Sequence, residues 1–135
     1  MTETPAKYRL TRDEAEFLPA AILDALNDAA RRGTRITAEA LARRFGYKDD
    51  RAIRLAIREL IAQGHPIASS VRAPYGYWIV QSTREAEECD RTLRSRAAEN
   101  LGRLRDFRRA VAGRFGPATQ LPLAMIEQAL RELER

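Results

Sequence analysis

The 135-residue sequence predicts a mainly α fold with one small β-hairpin (an α+β chain), followed by a long helix and a short terminal helix. Three observations support this. Apolar residues recur at helical spacing in several separate segments. Capping pairs three residues apart stand at Thr11–Glu14 and Ser82–Glu85. Between residues 67 and 80, two runs of strand composition flank the breaker RAPYG.

Taken in order, residues 1–16 read as an N-terminal arm, loose to residue 10, with a turn of helix beginning at Thr11. Pro19 interrupts that turn and suits the first turn of a new helix, PAAILDALNDAARRG. Ile22, Leu23 and Leu26 form its buried stripe, and Gly33 ends it. A short strand around Ile36 leads into a second helix. Thr37 is its N-cap, and Ile36 and Leu41 occupy the positions of a hydrophobic staple. Leu41, Ala42 and Phe45 face inward, and Gly46 stops the helix. After the turn YKDD, Asp49 or Asp50 caps a third helix over residues 50–63, which Gly64 closes. Its apolar side is Ile53, Ala56, Ile57, Leu60 and Ile61.

Ile67–Val71 and Tyr77–Val80 form the hairpin, with Arg72 and Tyr75 at its tip. From Ser82 a helix of about 30 residues runs to Ala112. Its apolar positions Leu93, Ala97, Leu104, Phe107 and Val111 follow a heptad spacing broken by Asn100. GRFGPATQLP interrupts it, and a last amphipathic helix presents Leu123, Ile126, Leu130 and Leu133 on one side. The expected divisions are therefore 1–16, 17–82, 83–116 and 117–135.

Net charge is +5 with a pI of about 10, which suits an anionic partner. Residues 34–82 hold eight basic against four acidic residues, and residues 83–116 nine against six. Of the 24 basic residues only Lys7 and Lys48 are lysine. Arginine suits phosphate and guanine, although a GC-rich or thermophilic genome accounts for most such bias. Cys89 is the sole cysteine, the N-terminus lacks a signal-peptide pattern, and no apolar run reaches membrane-spanning length. These features predict a soluble, cytoplasmic protein.

One histidine, His65, and one cysteine cannot build a usual zinc site. No Gly-rich phosphate loop or nucleophile elbow is present. The expectation is a non-enzyme without metal or cofactor.

The order helix, short strand, helix, turn, helix, hairpin carries a resemblance. ITAEALARRFGYKDDRAIRLAIRELIAQGHPIASSVRAPYGYWIV resembles the winged helix-turn-helix DNA-binding domains of bacterial and phage regulators and replication factors. The matching features are Leu41–Ala42, the capped third helix, the Leu60/Gly64/Pro66/Ile67 pattern and Gly76-Tyr77-Trp78. The resemblance covers about residues 17–82 and, with the long trailing helix, points toward phage or mobile-element proteins. It implies a third helix in the major groove and a hairpin tip on the adjacent backbone or minor groove. Arg51, Arg54, Leu55 and Arg58 would then face the groove, Arg54 mid-stripe. Lys48 would lie near phosphate, with Arg72 and Tyr75 on the wing tip.

The implied function is sequence-specific binding of double-stranded DNA in transcription regulation or replication initiation. A second reading stays open: an interaction module that docks on a partner protein without DNA. Three exposed arginines on a helix are usually a solvated face, and Glu59 could pair with one of them. Tyr77 and Trp78 are expected in the core, and Arg43 and Arg44 in solvent. The long helix is expected to form a homodimer through Leu93, Ala97, Asn100, Leu104, Phe107 and Val111, or else to offer its arginines to an acidic partner.

Overall fold

Thr11 starts the first helix as its spacing predicts. Its hydroxyl accepts from the Glu14 N–H at 3.2 Å, and the Glu14 carboxylate accepts from the Thr11 N–H at 2.9 Å. In this computed structural model, which describes residues 9–70, 72–116 and 123–134, that cap opens α1 (Arg12–Arg31). The arm is therefore shorter than expected, and its residues 1–8 lie outside the described residues. Pro19 does not divide α1. It lies buried inside the helix, where a proline removes a hydrogen bond and costs about 3 kcal/mol. Leu18 and Ile22 on either side are fully buried. At about 1.5–3 kcal/mol for each such side chain, their burial offsets the break.

Thr37 caps α2 (Ala38–Arg44), accepting from the Ala40 N–H at 3.1 Å. α3 (Arg51–Ala62) has Asp50 at its N-cap position, yet the Asp50 carboxylate does not cap. Asp49 instead accepts from the Arg51 N–H at 3.0 Å. β1 (Ile67–Ser70) and β2 (Gly76–Ile79) pair antiparallel, with Ile67 opposite Ile79 and Ser70 opposite Gly76. The strand extension expected at Val71 lies outside the described residues. The strand expected at Ile36 is a single bridge: the Ile36 and Tyr77 backbones exchange hydrogen bonds of 3.1 and 2.7 Å. At Gly76 φ is +128°, and a Cβ would stand 2.8 Å from the Ile36 carbonyl carbon. Only glycine lets β2 pass this close.

These elements form one compact unit ending at Gln81. Leu18, Ile22, Leu26, Leu41 and Ile53 are its largest fully buried side chains, drawn from α1, α2 and α3. Tyr77 and Ile79 of β2 pack on that core from the hairpin.

The second unit starts at Ser82, whose hydroxyl accepts from the Glu85 N–H at 3.2 Å and opens α4 (Thr83–Phe115). α4 runs past the expected end at Ala112, because the residue that leaves helical geometry is Gly116, at φ +95°. The interruption expected before the last helix falls largely on residues 117–122, outside the described residues. α5 (Leu123–Glu134) packs antiparallel along α4. Arg94 donates to the Leu133 and Glu132 carbonyls at 3.2 and 2.7 Å, capping the C-terminus of α5. Arg109 pairs with Glu127 at 2.6 Å toward the other end. Ile126 and Leu130 are buried, whereas no described residue of α4 is. The described residues are thus mainly helical with one small hairpin, and no described helix is long and apolar enough to cross a membrane.

Candidate nucleic-acid interface

α3 buries Ile53, Ala56, Ile57 and Leu60, and this fixes where its arginines point. At about 100° per residue, Arg51, Arg54 and Arg58 share a sector of about 60° on the opposite side. All three are exposed, and Leu55 beside them is half-buried. Ile61, expected on the apolar side, is 47% exposed and borders the arginine row. Arg58 has no ion-pair partner among the described residues.

Arg54 is tied into the unit through three neighbours. Its Nε donates to Asp50 at 2.8 Å, its Nη1 donates to the Tyr77 hydroxyl at 3.3 Å, and Glu39 lies 3.7 Å from Nη2. The Asp50 hydrogen bond, above the charges of Tyr77, Asp50 and Glu39, raises the guanidinium pKa against a burial penalty. Exposed pairs of this kind are worth about 0–1 kcal/mol, and more than half of the Arg54 side chain is in solvent. The network therefore orients Arg54 more than it stabilises the unit. It joins α2, α3 and β2 at one side chain. Glu59, the acid proposed to pair with the row, is exposed, and Asp50 and Glu39 take that place at Arg54 instead.

The hairpin tip holds Arg72 and Tyr75, both exposed, and turns through a cis Ala73–Pro74 peptide. The Ser70 hydroxyl accepts from the Arg72 N–H at 3.2 Å and donates to the Arg72 carbonyl at 2.6 Å, ordering the turn. Lys48 is exposed in the turn before α3. A further cation joins the tip from a distance in sequence. Arg35 stacks on the Trp78 ring, 3.9 Å from its centroid, and donates to the Pro74 carbonyl at 3.0 Å.

That contact corrects the expectation for Trp78. Strand residues alternate faces, so with Tyr77 and Ile79 toward the core, Trp78 must face out. It is half-buried beneath Arg35. The alternation was visible in the sequence; the arrival of Arg35 was not.

Tyr77 links the two basic patches. Its backbone pairs with Ile36, next to Arg35, and its hydroxyl accepts from Arg54. Among the described residues no three His, Cys, Asp or Glu lie close enough to hold a metal ion.

In the second unit, the expected dimer stripe on α4 is partly open beside α5. Leu93 and Phe107 are 63% and 67% exposed, Asn100 is exposed, and Ala97, Leu104 and Val111 are half-buried. Two open clefts of about 830 and 510 Å³ run along the α4–α5 pair, lined by mixed acidic, basic and small residues. The chain matches no protein-family model, no curated protein and no solved structure.

Proposed function

We propose that the chain is a sequence-specific double-stranded DNA-binding protein, cytoplasmic and without catalytic activity, whose first unit works as a winged helix-turn-helix in transcription regulation or replication initiation. The observation that carries this reading is the exposed arginine row on α3, held by Arg54 and Tyr77 beside a hairpin tip that carries Arg72 and Tyr75 and is reached by Arg35. α3 enters the major groove, where Arg51 and Arg58 meet guanine edges through bidentate contacts. Leu55 offers an apolar surface to a thymine methyl. Lys48, Arg35 and Arg72 neutralise phosphates on either side, which fixes register without reading sequence. Arg54, already bonded to Asp50, positions the helix relative to the hairpin. Its weaker Glu39 pair yields to a phosphate.

The test is a duplex selection from random DNA followed by a salt titration. Each neutralised phosphate adds about −0.9 to the log–log slope, so the four contacts from Lys48, Arg35, Arg72 and Arg54 give a slope of about −3.6. Arg58→Ala should remove about 1–3 kcal/mol of discrimination at one base pair. Arg72→Ala should weaken every sequence alike and reduce the slope by about one. No binding to any duplex pool, or a flat salt response, overturns the proposal.

A further inference from the structure

The apolar stripe of α4 is long, open and bordered by one sign of charge. From Leu93 to Phe115 it spans about 33 Å at 1.5 Å per residue. Leu93, Phe107 and Phe115 are each more than 60% exposed. α5, held by Arg94 and Arg109, leaves these three exposed, while Ala97, Leu104 and Val111 between them are half-buried. In the heptad frame of the stripe, the margin positions between 93 and 115 hold Arg94 and Arg108 on one side and Arg96 and Arg103 on the other, with no acidic residue.

Arg94 is committed to the carbonyls of α5. Arg96 and Arg108 are not satisfied: Arg96 Nη2 and Arg108 Nε are each shielded from water and have no hydrogen-bond partner. A buried donor without an acceptor is unfavourable. Two such donors, one on each margin of the stripe, are relieved if each side chain swings out to a carboxylate on whatever covers the exposed apolar residues.

We propose that this face docks an acidic amphipathic helix from a partner protein, with its apolar residues on the stripe and its carboxylates on Arg96, Arg103 and Arg108. Helix-in-groove recognition supplies the apolar anchors at i, i+3, i+4 and i+7. Bidentate arginine–carboxylate pairs supply the selectivity. Asn100, exposed mid-stripe, fixes the register by asking for one polar residue opposite. The homodimer expected from the heptads is the competing occupant, and the margins oppose it. A parallel pair sets Arg103 against Arg108 of the other copy. An antiparallel pair centred on Asn100 sets Arg96 against Arg103. Like charges in these positions are unfavourable in either orientation.

The test uses the full chain and a labelled helical peptide of about three heptads, with leucine along its apolar positions and glutamate on both margins. A second peptide carries lysine at those margins. The glutamate peptide should bind at least tenfold tighter than the lysine peptide, and the protein alone should stay monomeric at high micromolar concentration. The triple variant Arg96→Glu, Arg103→Glu, Arg108→Glu should reverse the preference, with helix content unchanged by circular dichroism. Leu93→Ala with Phe107→Ala should weaken the glutamate peptide tenfold or more. Equal binding of the two peptides, a dimeric mass of the protein alone, or displacement of the glutamate peptide by anionic lipid vesicles each overturns the proposal.

Discussion

Helices α3 and α4 both carry rows of arginine, but the rows stand differently against the apolar face. On α3 four aliphatic residues are buried and the arginines lie opposite them. On α4 no described residue is buried, and the arginines border an exposed apolar stripe. A cationic row opposite a filled core has only charge and hydrogen bonds to offer, which suits phosphate and base edges. A cationic border around an open apolar stripe offers both a hydrophobic seat and an electrostatic fence, which suits a helix of opposite charge. The same residue type therefore points to two partners.

The largest expected difference between the two units is in stability. Ile53 is fully buried, so Ile53→Ala should cost about 2–5 kcal/mol by lost transfer energy and a cavity. Leu93→Ala on the open stripe should stay within about 0.5 kcal/mol. Denaturant midpoints of both variants check this. A large loss at Leu93 would mean that α4 is already covered in the free protein and that the two helices do not differ in this way.

Next in size is Gly76→Ala. The substitution places a Cβ against the Ile36 backbone and holds alanine at φ +128°. About 1–3 kcal/mol of strain is expected, with hydrogen exchange rising at the Ile36–Tyr77 bridge and staying unchanged in α4. Uniform exchange changes in both units would show that they do not unfold as separate entities.

The helix boundaries at Thr11, Thr37 and Ser82 were legible because a cap acts over three residues and is written locally. The hairpin was legible for the same reason. Pro19 misled, because its local penalty is outweighed by the burial of Leu18 and Ile22, which depends on α3 and the hairpin being present. The arginine row on α3 followed from spacing alone. What spacing could not show was that Arg54 is already engaged by Glu39 and Tyr77, or that Arg35 crosses to the hairpin tip at Pro74. Those contacts join residues far apart in sequence and exist only once the core is assembled.

Smaller still is Tyr77→Phe, which removes one exposed, long hydrogen bond to Arg54. Its stability cost should sit near the lower end of the 0.5–1.5 kcal/mol range for such bonds, at about 0.5 kcal/mol. Its effect on duplex affinity should be larger than its effect on unfolding, because it loosens the link between α3 and the hairpin. An affinity loss no greater than the stability loss would reduce Tyr77 to a packing residue.

The smallest effect concerns pH and again separates a helix bound into a core from one that is not. Glu14 caps α1 and is reached by Tyr47 from the turn after α2. The Thr11 N–H, first, lowers the Glu14 pKa; the Thr11 and Tyr47 hydroxyls add to this, against a partial penalty from burial. Tyr47 is pushed up in turn, by burial first and then by Glu14. A carboxylate whose folded pKa lies below its unfolded value binds fewer protons when folded. Its contribution is whole above the unfolded value of about 4.3 and is lost as pH falls through the folded one. Glu14→Gln should therefore flatten the fall of the unfolding midpoint below about pH 5. Tyr47→Phe should keep most of that fall, because the Thr11 backbone bond dominates. If Tyr47→Phe flattens the profile as much as Glu14→Gln does, the cap is governed by the core rather than by its own turn. In that case the start of α1 answers to tertiary packing, as Pro19 within the same helix already does.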